Sequence, residues 1–292
     1  MTTAARLDQR VGLHALRMLP PAPIRPAMPV TFQAETLLLE GDDAIAFAQA
    51  QFSGNAAGLA VGCWQFSAWL DAQGRVRALF HLARVSEKSL LLVLRGGRAE
   101  PFADALRRFV FRSKVKLQAL PVRALGTSAA MESHTVEQRD DAVVLGCGMH
   151  SITIGAQQDD AWRAEQIHLG WPWLPDAALD ALLPPALSLE RLQAVAFDKG
   201  CYPGQEIAAR LHFRGGHKRH MHCVVLSQAL PPGTVLRDEQ SDVAQLLDVI
   251  ATDNANVALA VISDALAEQG KSHALRWNED IIDIELRERW PA

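Results

Sequence analysis

The sequence predicts an α+β protein that ends in a small antiparallel β-barrel. In the first part of the chain, short apolar runs are joined by tight turns and mixed with helical patterns, which favours hairpins and helices over a parallel doubly wound sheet. After residue 220, six short strand candidates follow one another closely, a spacing typical of a small barrel. The length of 292 residues predicts about two domains, or three small ones.

Composition and pattern divide the chain into four predicted segments. Residues 1–30 form a flexible, proline-rich leader without the apolar core of a signal peptide. Residues 31–112 form a first α+β subdomain, residues 113–219 form a second one with a connecting segment and a glycine-rich loop, and residues 220–292 form the barrel. Since no apolar run approaches the roughly 18 residues of a membrane span, we expect a cytoplasmic protein with no membrane partner.

The elements of the first subdomain are predicted from period and from turn residues. Asp42 or Asp43 would cap a first helix, and Asp71-Ala72-Gln73-Gly74 has the composition of a hairpin turn. The predicted elements are strands at Thr36–Leu39, Trp64–Leu70, Val76–Leu82 and Leu90–Leu94, and helices at Ala44–Phe52 and Pro101–Phe109.

The second subdomain is strand-rich, and a connection punctuated by prolines leads from it to the barrel. Strands are predicted at Val115–Val122 and Val143–Leu145, and a helix is predicted from Asp159 or Asp160 toward His168. The barrel strands are predicted at His220–Leu226, Thr234–Arg237, Leu246–Ala251, Val257–Ile262, Ala274–Trp277 and Ile281–Leu286.

One segment concentrates positive charge in a chain whose net charge is −4. Between Lys199 and Arg219 there are five lysines or arginines and a single acid, Glu206. Gly200 and Gly204 bracket a cysteine and a proline, which indicates a tight, shaped loop. Such a loop favours an anionic partner: a carboxylate tail, a phosphate or an acidic protein surface.

Cys201, inside this segment, has two interpretations. Lys199 and the surrounding cations would favour the thiolate, which gives a nucleophile or a metal ligand. Alternatively, Cys201 is a small thiol buried behind a turn, since free cysteine is among the most buried residue types. The sequence alone supports these two interpretations about equally.

The motif Lys199-Gly-Cys-Tyr-x-Gly-Gln-Glu206, followed by Ala209-Arg210, Phe213-Arg214-Gly215 and Lys218-Arg219, closely resembles the signature of the YgfZ family. The resemblance extends upstream to Gly41-Asp42-Asp43-Ala44, to Asp71–Arg75 and to Arg112–Val115, and it covers residues 36 to 222.

The resemblance implies the fold of the folate-dependent glycine-cleavage T-protein: two α+β subdomains around a central folate cleft, plus a C-terminal barrel. It implies binding of tetrahydrofolate or a derivative and support of iron–sulfur enzymes or their assembly, including enzymes that modify tRNA. Cys201 would be the reactive thiol, with Lys199 beside it. The residues that the resemblance assigns to folate or to its acidic tail are His168, Trp171, Tyr202, Gln205, Glu206, Arg210 and Arg214.

Three departures from the family pattern bear on activity. The stretch Gly74–Leu79 lacks the aspartate with which T-proteins assist chemistry at the folate nitrogen, so aminomethyl transfer is not expected. His168 stands where glutamate often holds the pterin ring, and a neutral imidazole offers one donor and one acceptor rather than two acceptors. Ser188 replaces an asparagine and can reproduce only part of its hydrogen bonding.

No metal site is predicted. His212, His217, His220 and His222 crowd near Cys201, but their spacing matches no zinc template and the cysteines are scattered singly. Transient ligation of iron or of a cluster by Cys201 stays open. The basic segment suits a small anion better than a phosphate backbone, which needs a longer basic track, so direct tRNA contact is not expected.

Three hypotheses follow for the function. The first is a folate-binding accessory protein rather than an enzyme. The second is a folate-dependent one-carbon transferase, which would need a carboxylate at the reacting nitrogen. The third is an interaction module that has lost folate, motivated by His168 and Ser188.

Overall fold

The computed structural model describes residues 32–156, 158–239, 241–252 and 254–292. The predicted leader, residues 1–30, lies outside the described residues. The described chain forms two five-stranded sheets and a closed six-stranded barrel, and their strand pairs are antiparallel. The predicted α+β class and the C-terminal barrel are therefore confirmed.

The described strands and helices are numbered in chain order. They are β1 Gln33–Ala34, β2 Thr36–Glu40, α1 Ala44–Gln51, β3 Cys63–Leu70, β4 Val76–Ser86, β5 Ser89–Leu94, α2 Ala99–Arg107, β6 Lys116–Ala119, β7 Arg123–Ser128, β8 Val136–Arg139, β9 Ala142–Gly146, β10 Ser151–Gly155, α3 Ala161–His168, α4 Gln205–Arg214, β11 Arg219–Leu226, β12 Val235–Arg237, β13 Asp242–Ala251, β14 Asn256–Ser263, α5 Asp264–Ala267, β15 Ser272–Trp277 and β16 Asp280–Arg289.

The first sheet has the strand order β3-β4-β5-β2-β6, and its central strands β4 and β5 are buried on both faces. Successive side chains of β5 alternate between the faces, as strand geometry requires. Leu90 and Leu92 pack in the cluster under α1 and α2, whereas Leu91 and Val93 pack in the central cluster shared with the rest of the molecule. The sheet thus forms one wall of the molecular centre.

The predicted cap of α1 is wrong. Asp43 precedes the helix, but its side chain makes no capping hydrogen bond. Its carboxylate instead accepts from the amide of Lys114 at 2.6 Å, and Asp42 pairs with Lys88 at 2.5 Å. These tertiary partners hold the two carboxylates away from the first turn of the helix.

The second sheet has the order β1-β7-β10-β9-β8. The single strand predicted at Val115–Val122 is wrong, because the chain divides there into β6 and β7 with Pro121 between them. Proline cannot donate to a strand ladder, so it interrupts the run. As a result β6 pairs with β2 in the first sheet, while β7 and β1 pair in the second. The predicted domain limits at residues 112 and 219 stay predictions.

The barrel closes in the order β11-β14-β13-β12-β15-β16. Apolar side chains such as Ile262 and Ile284 fill its interior. On its outer side, Met221 and Val261 join the central cluster. A buried ion pair between Arg163 of α3 and Asp248 of β13, at 2.5 Å, ties the second sheet's helix to the barrel. No described helix is both long enough and apolar enough to cross a membrane.

Candidate functional site

The basic segment Lys199–Arg219 forms a loop that leads into α4. Gly204, with φ of 76°, precedes the helix, and Gly215, with φ of 64°, follows it. The loop packs on the β3–β4 turn, whose Asp71 carboxylate accepts from the amides of Gln73 and Arg75 at 2.9 and 2.8 Å. Both predicted features, the shaped loop and the hairpin turn, lie in contact with each other.

Lys199 anchors this loop. Its ammonium donates to the carbonyl oxygens of Phe52 and Gly54 at 2.6 and 2.7 Å and lies 5.1 Å from the centre of the Tyr202 ring. Burial lowers the pKa of Lys199 to about 8 and raises the pKa of Tyr202 to about 12. The hydrogen bonds of Lys199 therefore hold the loop against the segment that follows α1.

Cys201 is exposed at the start of the loop, and its thiol is free. The reading of Cys201 as a buried packing residue is therefore wrong. Cys147 and Cys223 are buried, and burial raises the pKa of Cys147 to about 12. Cys201 is thus the most exposed of the four cysteines, which suits a group that must meet a reagent or a partner.

A groove of about 350 Å³ runs between the β3–β4 turn and α4. Two arginines line it, Arg75 and Arg210, and no carboxylate does. Two guanidinium groups without an acidic partner among the lining residues favour an anion. The full lining is Gln73, Arg75, Leu183, Ile207, Arg210, Leu211, Gly215 and Gly216.

A second cavity, of about 470 Å³, lies where the first sheet, β1, the connecting segment and the barrel meet. Phe32 and Trp173 form an aromatic pair in its wall, edge to face at 5.2 Å. Glu35 and Asp176 supply carboxylates, and no lysine or arginine lines it. The lining residues are Phe32, Gln33, Glu35, Leu94, Gly96, Gly97, Trp173, Leu174, Pro175, Asp176, Pro232 and Leu247.

Behind Trp173 lies a buried polar centre built around Arg95, which is fully buried. Its guanidinium donates to the carbonyls of Pro172 and Trp171, both at 2.8 Å, and to the Gln166 amide oxygen at 2.9 Å. It also lies 2.8 Å from Nε2 of His81. Burial lowers the pKa of Arg95 to about 9. The pKa of His81 is held well below its usual value, first by burial and then by Arg95.

Sequence reasoning missed this buried centre. The available signal was an arginine directly after the apolar run Leu90–Leu94, since a charge at the end of a buried strand needs partners. His81 lies 14 positions away along the chain, but Gln166, Trp171 and Pro172 lie more than 70 positions away, so their identity could not be inferred locally.

The remaining predicted contacts are dispersed. His168 is exposed at the end of α3, whereas Gln166 on the same helix is buried and bonded to Arg95. Trp171 is half-buried and packs edge to face on Phe66 at 5.1 Å. His168, Arg214, Gln205 and Glu206 line neither of the two cavities. Their predicted roles at folate stay predictions.

Ser188 is fully buried in the left-handed conformation, with φ of 52°. Its hydroxyl has no hydrogen-bond partner among the described residues.

Within the described residues, no group of three or more histidine, cysteine or acidic side chains could hold a metal ion. Of the crowded histidines, His220 is paired with Asp264 at 2.6 Å.

No family model matches the chain, but individual proteins do. It is 24% identical to the tRNA-modifying protein YgfZ of Sodalis glossinidius over 66% of this chain and 70% of that protein. It is 29% identical to the tRNA-modifying protein YgfZ of Photobacterium profundum over 64% and 66% of the two chains. The aminomethyltransferase T of the Bartonella henselae glycine cleavage system matches the fold with a TM-score of 0.60 and 15% identity, covering 87% of this chain and 83% of that one.

These matches support a YgfZ-family protein. The T-protein neighbour, at its low sequence identity, shows the fold alone, and that fold agrees with the two sheets and the barrel described above. A YgfZ-type function in general is supported by the relatives. The loop that resembles the YgfZ signature is the one that Lys199 anchors and in which Cys201 is exposed.

Proposed function

We propose that this chain is a cytoplasmic folate-binding accessory protein of the YgfZ type. It supports iron–sulfur enzymes or their assembly, including enzymes that modify tRNA, and is not itself an aminomethyltransferase. The relatives are named as tRNA-modifying proteins, and the structural neighbour is the aminomethyltransferase T of a glycine cleavage system. The observation that carries the proposal is the cavity of about 470 Å³ where the two sheets and the barrel meet.

The chemistry of this cavity fits the pterin end of tetrahydrofolate. A pterin is a flat bicyclic ring with amino and ring N–H donors, and the cavity lies within the roughly 300–1,000 Å³ of small-molecule sites. Trp173 and Phe32 offer aromatic surface, and Asp176 offers a carboxylate acceptor. The carboxylate of Glu35 has one oxygen engaged by the amide of Ala99 at 2.9 Å, which leaves the other to accept.

The acidic tail of a folate needs cations, and the cavity has none. The arginine-lined groove at Arg75 and Arg210 provides a separate anion site. We assign it to the glutamate tail or to an acidic surface of a partner protein. Cys201, exposed beside α4, is the thiol that acts on or senses that partner.

Two observations argue against transferase activity. The start of β4 carries no acid between Gly74 and Leu79. Among the described residues, two carboxylates contact that stretch, and both are engaged: Asp71 accepts from the amide of Arg75 at 2.8 Å, and Asp180 is paired with Arg77 at 3.0 Å. A general base must be free to accept a proton, so a one-carbon transferase is the weaker alternative.

A second candidate is an interaction module that has lost folate. It is favoured by the exposed position of His168 and by the buried centre around Arg95, which fills the region behind Trp173 with protein side chains. This candidate predicts an ordered protein with no affinity for any folate.

Calorimetric titration of the reduced protein with tetrahydrofolate and its polyglutamate form tests the proposal. We expect micromolar binding that weakens about ten-fold in Asp176→Asn, with Asp238→Asn as a carboxylate control away from the cavity. Arg210→Ala should abolish any preference for the longer tail. Absence of binding would favour the interaction module, and turnover of aminomethyl-tetrahydrofolate would establish a transferase.

The thiol role is tested by complementation. In a strain lacking its YgfZ-family protein, Cys201→Ala should fail to restore the activity of an iron–sulfur enzyme, while Cys63→Ala should restore it. Full restoration by Cys201→Ala at normal protein levels would show that the thiol has no such role.

A further inference from the structure

An exposed aromatic and basic loop connects α2 to β6, remote in sequence from the signature segment. We define the Phe111 loop as residues 108–112. Phe111 is 75% exposed and Phe109 is 46% exposed, values that leave most of one phenylalanine ring in water. The guanidinium of Arg112 lies 5.0 Å from the centre of the Phe111 ring. Large apolar rings exposed in this way mark interaction sites more often than single surface residues do.

The backbone of the Phe111 loop is ordered. The amides of Phe109, Val110 and Phe111 donate to the carbonyls of Leu106, Arg107 and Phe109 at 2.9, 3.1 and 2.9 Å. Val110 packs against the core cluster beneath α1 and α2. The half-buried valine therefore anchors the loop, and the phenylalanines on either side of it are exposed.

The chain segment that contains this loop carries charge of one sign only. From residue 106 to residue 131 there are six lysines or arginines and no acid, in a chain of net charge −4. Arg107 is paired with Glu100 and Asp104, and Lys114 lies near Asp42. Among the described residues, Arg108, Arg112 and Lys116 are exposed and form no ion pair, and Lys116 lies opposite Glu40 in the β2–β6 ladder.

We propose that the Phe111 loop, with Arg108, Arg112 and Lys116, is a binding surface for single-stranded nucleic acid. Every base has a π face, so an exposed phenylalanine can stack on one without reading its sequence. Unpaired guanidinium and ammonium groups beside the ring contact phosphates on either side of the stacked base. An apolar protein partner would use the rings but would gain nothing from the exposed guanidinium groups of Arg108 and Arg112, so the charge favours a polyanion.

This surface is distinct from the arginine-lined groove at α4. That groove is a recess of about 350 Å³ and suits one small anion, whereas the Phe111 loop presents rings and cations to solvent beside the edge strand β6. The proposal does not depend on folate binding, and either can fail without the other.

Fluorescence anisotropy with a labelled single-stranded RNA of about 12 nucleotides tests the proposal at several salt concentrations. We expect binding that weakens about ten-fold in Phe111→Leu and is retained in Phe111→Trp, because the tryptophan ring also stacks. Arg108→Ala combined with Arg112→Ala should reduce the slope of log affinity against log salt by about 1.4, the value for two phosphates on a single strand.

Arg276→Ala on β15 is the matched charge control, since it removes an exposed arginine elsewhere; it should leave affinity unchanged. A duplex of the same sequence should bind more weakly, because its bases are not free to stack. The proposal is overturned if RNA does not bind, if the loop variants bind as the unchanged protein does, or if heparin competes fully and Phe111→Leu has no effect. The last outcome would indicate simple polyanion adsorption.

Discussion

Gly74 of the β3–β4 turn and Gly204 at the start of α4 lie against each other, both with positive φ, of 78° and 76°. A Cβ atom at Gly204 would lie 3.0 Å from the Cα of Gly74 and 2.5 Å from the carbonyl oxygen of Asp71. A Cβ atom at Gly74 would lie 2.9 Å from the Cβ of Ile207. The signature loop can dock on the hairpin only because both positions lack side chains.

Gly204→Ala should therefore lower the free energy of unfolding by about 2 kcal/mol or more, through the strained φ and the clash with backbone. Urea denaturation measures the change. Gly200→Ala in the same loop is the matched control, because a Cβ there meets no atom within 4 Å. Equal stability of the two variants would mean that the loop does not pack on the hairpin in solution.

The pKa of Lys199 predicts a pH dependence of stability. Burial lowers this pKa from 10.5 to about 8 in the folded protein. Between these values the unfolded chain holds a proton that the folded chain has lost, so this residue makes the free energy of unfolding rise with pH. Below about pH 8 both the folded and the unfolded chain hold the proton, so the contribution is absent. Because the side chain is partly exposed, the contribution is smaller than the pKa shift alone would give.

The measurement is the stability difference between the unchanged protein and Lys199→Met at about pH 7.5 and about pH 9.5. The difference should move in favour of the unchanged protein at the higher pH. Lys271→Met, at an exposed lysine, should show no such trend. A difference that is constant or that moves the other way would contradict a buried amine at Lys199.

The four cysteines should differ in reactivity. Cys201 is exposed, Cys63 is partly exposed, and Cys147 and Cys223 are buried. Burial raises the pKa of Cys147 to about 12 and raises that of Cys223, which disfavours the thiolate that reacts. A disulfide reagent such as DTNB should modify Cys201 in a fast phase that Cys201→Ala removes and Cys147→Ala leaves intact. A fast phase that survives Cys201→Ala would contradict the exposed loop.

The ion pair between Arg163 and Asp248 should be important for docking the barrel. Both side chains are 5% exposed, and removing one partner leaves an uncompensated buried charge. Asp248→Ala should cost about 3–5 kcal/mol of unfolding free energy, measured by denaturant titration. Glu285→Ala breaks the exposed pair with Arg287, with 43% and 55% exposure, and should cost less than about 1 kcal/mol. Similar costs for the two variants would mean that the first pair is solvated.

Features that depend on neighbouring residues were predictable. The turn at Asp71–Gly74 is closed by hydrogen bonds over two and four positions, and the alternation in Leu90–Leu94 appears directly in the two faces of β5. The six barrel strands follow from closely spaced apolar runs. The signature at Lys199–Arg219 indicated the family because its unusual residues lie within one continuous segment.

Features that depend on distant residues were decided only by the tertiary structure. The carboxylates of Asp42 and Asp43 bind Lys88 and Lys114 instead of capping α1. Arg95 donates to Gln166, which lies 71 positions away along the chain. The walls of the cavity of about 470 Å³ come from two sheets, a connection and the barrel. The sequence alone determined the fold class, the barrel and the family motif, through local periodicity and turn chemistry. Packing between segments far apart in the chain determined which polar groups meet in the buried centre. A buried charge needs hydrogen-bond partners, and only the folded chain brings those partners together.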